Sequence, residues 1–239
     1  MTLPAVLELI DVSKDYQGLR PLRIAQLTIA AGELVAIVGL DQTTAEVFVN
    51  LVTGTTLPDR GEVKVFGRGT GEISDSADWL AVVDRFGIVS ERAVLLDQLT
   101  VVQNLSMPFT LEIEPPPEEI AGRAVRLARE AGVPEATWPR PVAELHARDR
   151  ARVRVARALA LDPAALLLEH ASAGLSSDEA LALGSDLQRI ARRRSSAVVA
   201  VTADPGFARA VAPRALTLEA ASGRLKDTGR GGWFRRGLS

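Results

Sequence analysis

The stretch from Glu33 to Gly54 limits the choice of fold more than any other part of this chain. Glu33-Leu34-Val35-Ala36-Ile37-Val38-Gly39 is an apolar run ending in glycine. Leu40-Asp41-Gln42-Thr43-Thr44-Ala45-Glu46 follows as a short polar loop. Val47-Phe48-Val49-Asn50-Leu51-Val52-Thr53-Gly54 then has apolar residues at helical spacing and a glycine placed to close a helix. A run that is apolar on both faces predicts a central strand of a parallel sheet. The unit therefore reads strand, loop, helix.

Alternating patterns predict an antiparallel layer around this unit. Leu7–Val12, Arg23–Ile29 and Glu62–Gly67 alternate apolar with polar, as half-buried strands do. Phe86–Ser90 reads as a short strand and Val101–Met107 as a helix, and Pro115-Pro116-Pro117 is a stiff connector. Glu118 and Glu119 open a further helix, where negative charge suits the dipole, and Gly132 ends it. Asp149–Ala160 is expected to be helical, with Val153, Ala156 and Leu159 inward and Arg150, Arg154 and Arg157 mostly outward. Ala164–Leu168 and Ala197–Thr202 are expected to be buried strands. Ser176–Glu179 is a capping box, and Asp204 caps a helix with Pro205 at its first position.

Strand–helix alternation with apolar strands implies an α/β fold, its parallel sheet covered on both sides. The expected organisation is a single domain over 1–239. Within it, 1–87 and 149–228 form the α/β core with its β layer, 88–148 a helical subdomain, and 229–239 a flexible tail carrying Trp233 and Phe234 among arginines.

Composition removes several classes of function. A net charge of −2 argues against a nucleic-acid binder that relies on bulk charge. The absence of cysteine excludes disulfides and thiolate metal sites, and two histidines, His146 and His170, argue against a histidine-rich one. The start of the chain lacks the features of a signal peptide. No run reaches the ~18 apolar residues that a membrane span needs. The expected location is cytoplasmic, with membrane contact only through a partner.

The residues after Gly39 have the layout of a phosphate-binding loop, G-x-x-x-x-G-K-[ST], without its chemistry. Thr44 stands at the second glycine, Ala45 at the lysine and Glu46 at the Ser/Thr. The segment Arg150–Pro163, followed by Leu166-Leu167-Leu168, resembles the ATP-binding cassette of ABC transporters, and the resemblance extends from Leu7 to about Leu225. It implies a P-loop NTPase-like (RecA-like) core with an antiparallel β layer and a helical subdomain. It also implies Mg-ATP as cofactor and a membrane permease or a second cassette as partner.

Carried over position by position, the resemblance puts a vestigial ATP site at Tyr16, Gly39, Leu40, Asp41, Gln42, Thr43, Thr44, Ala45, Glu46 and Val47. Lys14-Asp15-Tyr16 looks like the loop whose aromatic stacks on adenine. Glu91 falls at the glutamine of the family's Q-loop, Glu169 at the Walker B aspartate, His170 at the catalytic glutamate and Ala203 at the switch histidine. The signature motif falls on Leu145, His146, Ala147, Arg148 and Asp149, without its glycines. Glu46 and Glu169 thus hold the family's magnesium positions. Losing one cation and gaining anions at Asp41 and Glu46 is costly, since a unit charge at ~5 Å is worth ~3 kcal/mol at an effective dielectric of ~20.

The expectation is a subunit without active catalytic residues, without a bound metal, and with weak or no ATP binding. It would serve as a structural or regulatory partner, in a heterodimer rather than a homodimer. An active ATPase with compensated motifs and a cassette-derived scaffold outside transport are the competing readings. Plainer roles stand beside the functional ones: Tyr16 as a packed turn tyrosine, Glu169 as a solvated strand-end carboxylate, His170 as a tolerated polar residue, Arg148 as a solvated helix-start arginine. The apolar region from Leu95 to Phe109 is the expected docking surface, because the family grips its membrane subunit there.

Overall fold

Two sheets and the helices packed against them are built from the apolar runs. In the computed structural model, which describes residues 3–228, β1 (Ala5–Lys14) and β2 (Leu22–Ala30) pair antiparallel. The unit at the head of the chain folds as β3 (Leu34–Val38), buried at every position, followed by α1 (Gln42–Val52). Next come β4 (Arg60–Val65), β5 (Arg68–Gly69), α2 (Ser76–Val83) and β6 (Phe86–Val89). The helical region contributes α3 (Val101–Ser106) and α4 (Glu118–Glu130). The last third contributes α5 (Ala147–Ala158), β7 (Ala165–Glu169), α6 (Ser177–Arg194), β8 (Ala197–Thr202), α7 (Pro205–Val211), β9 (Arg214–Glu219) and β10 (Arg224–Asp227).

The smaller sheet has the order β2-β1-β4-β5 and the larger β10-β9-β3-β8-β7-β6. In the larger sheet every pair is parallel except β9 with β10. Its strands separate two hydrophobic cores, because successive side chains of a strand point to opposite faces. Leu34, Ala36, Val38, Leu166, Leu168, Val198 and Ala200 face the core made with α3 to α7. Val35, Ile37, Leu167, Val199 and Val201 face the other, made with α1 and the small sheet. Burial on both sides is what continuous apolar runs in β3, β7 and β8 require.

Several expectations need correction. The polar residues after Gly39 form a shorter loop than the sequence suggests: α1 begins at Gln42, so Thr44, Ala45 and Glu46 lie on its first turns. The reason is Asp41, which takes the N-cap and accepts a bond from the Thr44 amide at 2.8 Å. Gly54, at φ 69°, follows the C-cap Thr53. The sequence pattern does not reveal β9 and β10. Arg157 does not point outward: its Nη1 donates to the Val94 carbonyl at 2.5 Å, and burial lowers its pKa. The apolar run from Leu95 to Phe109 is largely core, with Leu95, Val101 and Leu105 buried and Met107 half-buried. Val94 (67% exposed), Leu96 and Leu111 (94%) are its exposed apolar neighbours. The expected tail at 229–239 lies outside the described residues. Among the described residues, no helix is long and apolar enough to cross a membrane.

Candidate nucleotide site

The C-terminal ends of β3, β6 and β7 bring three charged side chains together. Glu169 closes β7 and its side chain has no solvent exposure. Glu46 lies on α1, and Arg92 follows just after β6. The Arg92 guanidinium joins the two acids. Its Nε and Nη2 donate to Glu169 Oε1 and Oε2 at 3.0 and 2.6 Å, and its Nη1 donates to Glu46 Oε1 at 3.1 Å. Gln42 Nε2 adds a bond to Glu169 Oε1 at 3.2 Å. This is the planar, two-pronged geometry that favours arginine over lysine on a carboxylate. The contact with Glu169 raises the Arg92 pKa above its already high ordinary value. Glu169 is therefore not a solvated strand-end carboxylate, because a buried carboxylate has to be paired.

The N-terminus of α1 is likewise filled from within. A helix N-terminus presents free amides and partial positive charge to an anion. Here the Asp41 carboxylate takes the Thr44 amide, and that bond holds its pKa below the ordinary carboxylate value. Ala45 is fully buried, so no cation reaches the loop from the lysine position. Leu40 is buried, and Gln42 and Thr43 are exposed. Val47 packs on the core beside α1. Gly39 takes φ 97°, a left-handed conformation suited to glycine at the strand-to-helix turn.

Beside this loop lies a cleft of about 630 Å³ lined by Tyr16, Arg20, Arg23, Asp41, Thr44 and Leu218, among others. The Tyr16 hydroxyl bonds Thr44 Oγ1 at 3.0 Å and its ring packs on the core. A side chain on Gly18 would collide with that ring, at 2.5 Å, so the glycine fits closely over it. Tyr16 thus joins the loop to the small sheet and also borders the cleft.

Of the remaining positions, His170 stays beside the site, next to Glu169 and close enough to Asp41 to help lower its pKa. Glu91 is exposed and lines a separate cleft of about 320 Å³ with Ala147, Arg150, Arg154 and Gly174. His170 has φ 44°, donates its backbone N–H to the Val201 carbonyl at 2.9 Å, and keeps a buried Nε2 without a hydrogen-bond partner. Ala203 is exposed after β8. Leu145 is buried, and His146 is the N-cap of α5 without a side-chain capping bond. Ala147 and Arg148 are exposed, and Arg148 pairs with the buried Asp149 at 3.3 Å.

Arg92 is the residue that reading the sequence missed. The available signal was compensation: two acids at the metal positions call for a cation, and Arg92 adjoins Glu91 at the end of β6. Its presence bears on whether Mg-ATP fits this site. A divalent ion on the same two carboxylates would stand ~4 Å from a guanidinium, where each unit of its charge is repelled by ~4 kcal/mol at an effective dielectric of ~20. With Asp41 already on the Thr44 amide, the residues present do not fit a magnesium–triphosphate in the arrangement found here. No cluster of three or more metal-ligating side chains occurs among the described residues.

A strand–loop–helix with its loop at the C-terminal edge of a parallel sheet, an added antiparallel layer and a helical arm define the class: a nucleotide-binding cassette of the P-loop type. The chain belongs to the ABC transporter family, whose profile matches residues 22–173. Among curated relatives it is similar to the methionine import ATP-binding protein MetN of Mesorhizobium japonicum, with 28% identity over 94% of this chain and 60% of that protein. The chain therefore spans about three-fifths of that relative's length. It is also similar to the lipoprotein-releasing system ATP-binding protein LolD of Chromohalobacter salexigens, with 29% identity over 88% of this chain and 87% of the relative. Among solved structures it is similar to a dimeric ATP-binding cassette in a post-hydrolysis state bound to ADP and Pi, with a TM-score of 0.77, 25% identity, and coverage of 93% of this chain and 98% of that one.

Proposed function

We propose that this chain is the cassette subunit of an ABC transporter that does not hydrolyse ATP. It acts as a structural or regulatory partner of a membrane permease or of an active cassette, at the cytoplasmic face of the membrane. The observation that carries this reading is the Arg92 bridge between Glu46 and Glu169, on the acids at the family's magnesium positions. Ala45 at the lysine position, His170 at the catalytic glutamate and Ala203 at the switch histidine support it. Phosphoryl transfer depends on cations that meet the charge of the transition state, and Arg92 is committed to two carboxylates.

In this reading the α/β core (1–87 and 149–228) keeps the cassette shape and the helical region (88–148) carries the docking edge. A heterodimer is favoured because both halves of a shared nucleotide site depart from the family pattern, at Thr44–Glu46 and at Leu145–Asp149. The relatives' printed roles, methionine import and lipoprotein release, differ from each other and assign no cargo to this chain.

The test is phosphate release from the purified protein with Mg-ATP, together with melting at millimolar nucleotide. Turnover is expected to stay at background. A ligand at 100 times its Kd would stabilise by ~2.7 kcal/mol; no such shift is expected. ATP turnover that is abolished by Glu169→Ala or His170→Ala would refute the proposal. Co-purification with a permease should be indifferent to ATP and sensitive to Val94→Glu.

A further inference from the structure

We propose that Arg92 is a tethered cation that stands in for a divalent ion and latches the segment from Ser90 to Leu99 onto the core without nucleotide or metal. This deepens the non-hydrolysing reading and rests on it in one respect, that no nucleotide is needed to hold this end of the site closed.

The geometry of the segment supplies the argument. Arg92 reaches across the ends of three parallel-sheet elements: it starts beyond β6, grips Glu169 at the end of β7, and grips Glu46 on the helix that follows β3. A hydrated metal ion bound there would make the same cross-link, neutralising both acids and joining β7 to α1. Here the link is covalent on one side, because the cation belongs to the segment it fastens. The segment is tied at further places, among them the Asp97 and Leu99 carbonyls, which accept from the Ala143 and Val142 amides at 3.0 Å. Arg157 of α5 donates to the Val94 carbonyl, and Asn104 of α3 bonds both the amide and the carbonyl of Leu96 at 2.8 and 3.0 Å. Ser90 Oγ accepts the Arg92 amide at 3.1 Å, which fixes the backbone from which the guanidinium extends. Val94 and Leu96, both exposed, are therefore presented by a strap fastened on each side. In a site that needed a diffusible cation, this strap would move when the ion came and went. With Arg92 in place its position is set by the chain alone.

A prediction about metal follows. While the guanidinium is present, Glu46 and Glu169 have no affinity to spare for a divalent ion. Once it is removed, the two acids with Gln42 face each other with uncompensated charge, and a soluble cation replaces the tethered one.

The experiment uses the full chain without nucleotide and two readouts: Mn²⁺ uptake by electron paramagnetic resonance, and amide hydrogen exchange. Wild type is expected to take up no Mn²⁺ at this site at millimolar metal. Arg92→Ala should bind it at least tenfold more tightly than wild type, and adding Glu46→Gln should abolish the gain. Exchange at Arg92, Ala93 and Leu96 should rise at least tenfold in Arg92→Ala and less in Arg92→Lys, which keeps the charge and loses the fork. Exchange in β8 should stay unchanged, which shows that the variant is folded. Should Arg92→Ala not fold, Arg92→Lys and Glu46→Gln give the same reading with smaller rises, of about two- to threefold. Unchanged exchange in the segment of folded variants would overturn the latch. Equal Mn²⁺ binding by wild type and Arg92→Ala would overturn the cation substitution. ATP turnover by wild type would refute the non-hydrolysing reading and leave both of these results as they stand.

Discussion

Two arginines fasten the helical region to the α/β core, at opposite ends of the parallel sheet. Arg194, in the last turn of α6 before β8, holds Glu130 of α4 at 2.6 Å and Asp162 ahead of β7 at 3.0 Å, and donates to the Leu159 carbonyl. Arg92 holds Glu169 and Glu46 at the other end, where the strands finish. Arg194 is 18% exposed and sits where a cation complements the helix dipole. Arg92 is 39% exposed, and one of its partners is completely buried. The first arrangement satisfies the ends of helices and would serve any α/β protein. The second satisfies two acids that the fold brings together from β7 and α1. The same chemistry thus fixes helix ends at one edge of the sheet and closes the candidate site at the other.

Removal of Arg194 should cost more. Arg194→Ala leaves Glu130 four-fifths buried without its main cation and frees the Leu159 carbonyl. Loss of one partner of a fully buried pair costs about 3–5 kcal/mol, and partial exposure brings the expectation to about 3 kcal/mol in urea unfolding. The difference should depend on pH. Arg194 holds the Glu130 pKa below its ordinary value, so the contribution is complete above about pH 5 and fades as pH falls through the lowered value. Wild type and variant should therefore converge in acid; a gap that widens below pH 4 would mean that the pair is not the source.

Arg92→Ala comes next, at about 1–2 kcal/mol, because water reaches Glu169 once the guanidinium is gone and Gln42 remains bonded to it. A loss equal to that of Arg194→Ala would erase the distinction between the two ends. Asp41→Ala should cost about 1 kcal/mol, the value of a helix N-cap, and leave the Arg194 end untouched by hydrogen exchange. If it also raised affinity for inorganic phosphate, the α1 terminus would be a usable anion site that Asp41 keeps filled. The smallest effect belongs to Tyr16→Phe, about 0.5–1 kcal/mol for one neutral hydrogen bond to Thr44. A melting curve that does not move would show that the ring packing carries Tyr16 and its hydroxyl carries nothing.

The large sheet is readable because β3, β7 and β8 are buried on both faces and are apolar except at their last residues, Glu169 and Thr202. Local capping was also readable: Ser176 with Glu179 and Asp204 before Pro205 act within four residues of themselves. β9 was not, since Arg214-Ala215-Leu216-Thr217-Leu218-Glu219 joins a parallel neighbour on one side and β10 on the other and shows only a mixed pattern. The site was half readable. Position by position the motif replacements could be assigned, yet the environment of Glu169 depends on Arg92, 77 residues away, and no local pattern reports a pairing at that distance. The start of α1 is hidden for the opposite reason: Asp41 and the threonines look like loop chemistry, and the same residues are what a helix N-terminus uses.

The place of β3 in the sheet also governs when this protein can fold on the ribosome. Leu34 lies against Val198 and Val35 against Arg214, so both flanks of the central strand come from the last part of the chain to be made. At about 5–20 residues per second, on the order of ten seconds or more separate the emergence of β3 from that of its neighbours. Throughout that interval Leu34-Val35-Ala36-Ile37-Val38, uncharged and rich in β-branched residues, has nothing to pair with. Short uncharged stretches of this kind favour aggregation. β3 therefore waits longest of the sheet's strands for its partners, and a chaperone that binds short apolar strands would find a target there.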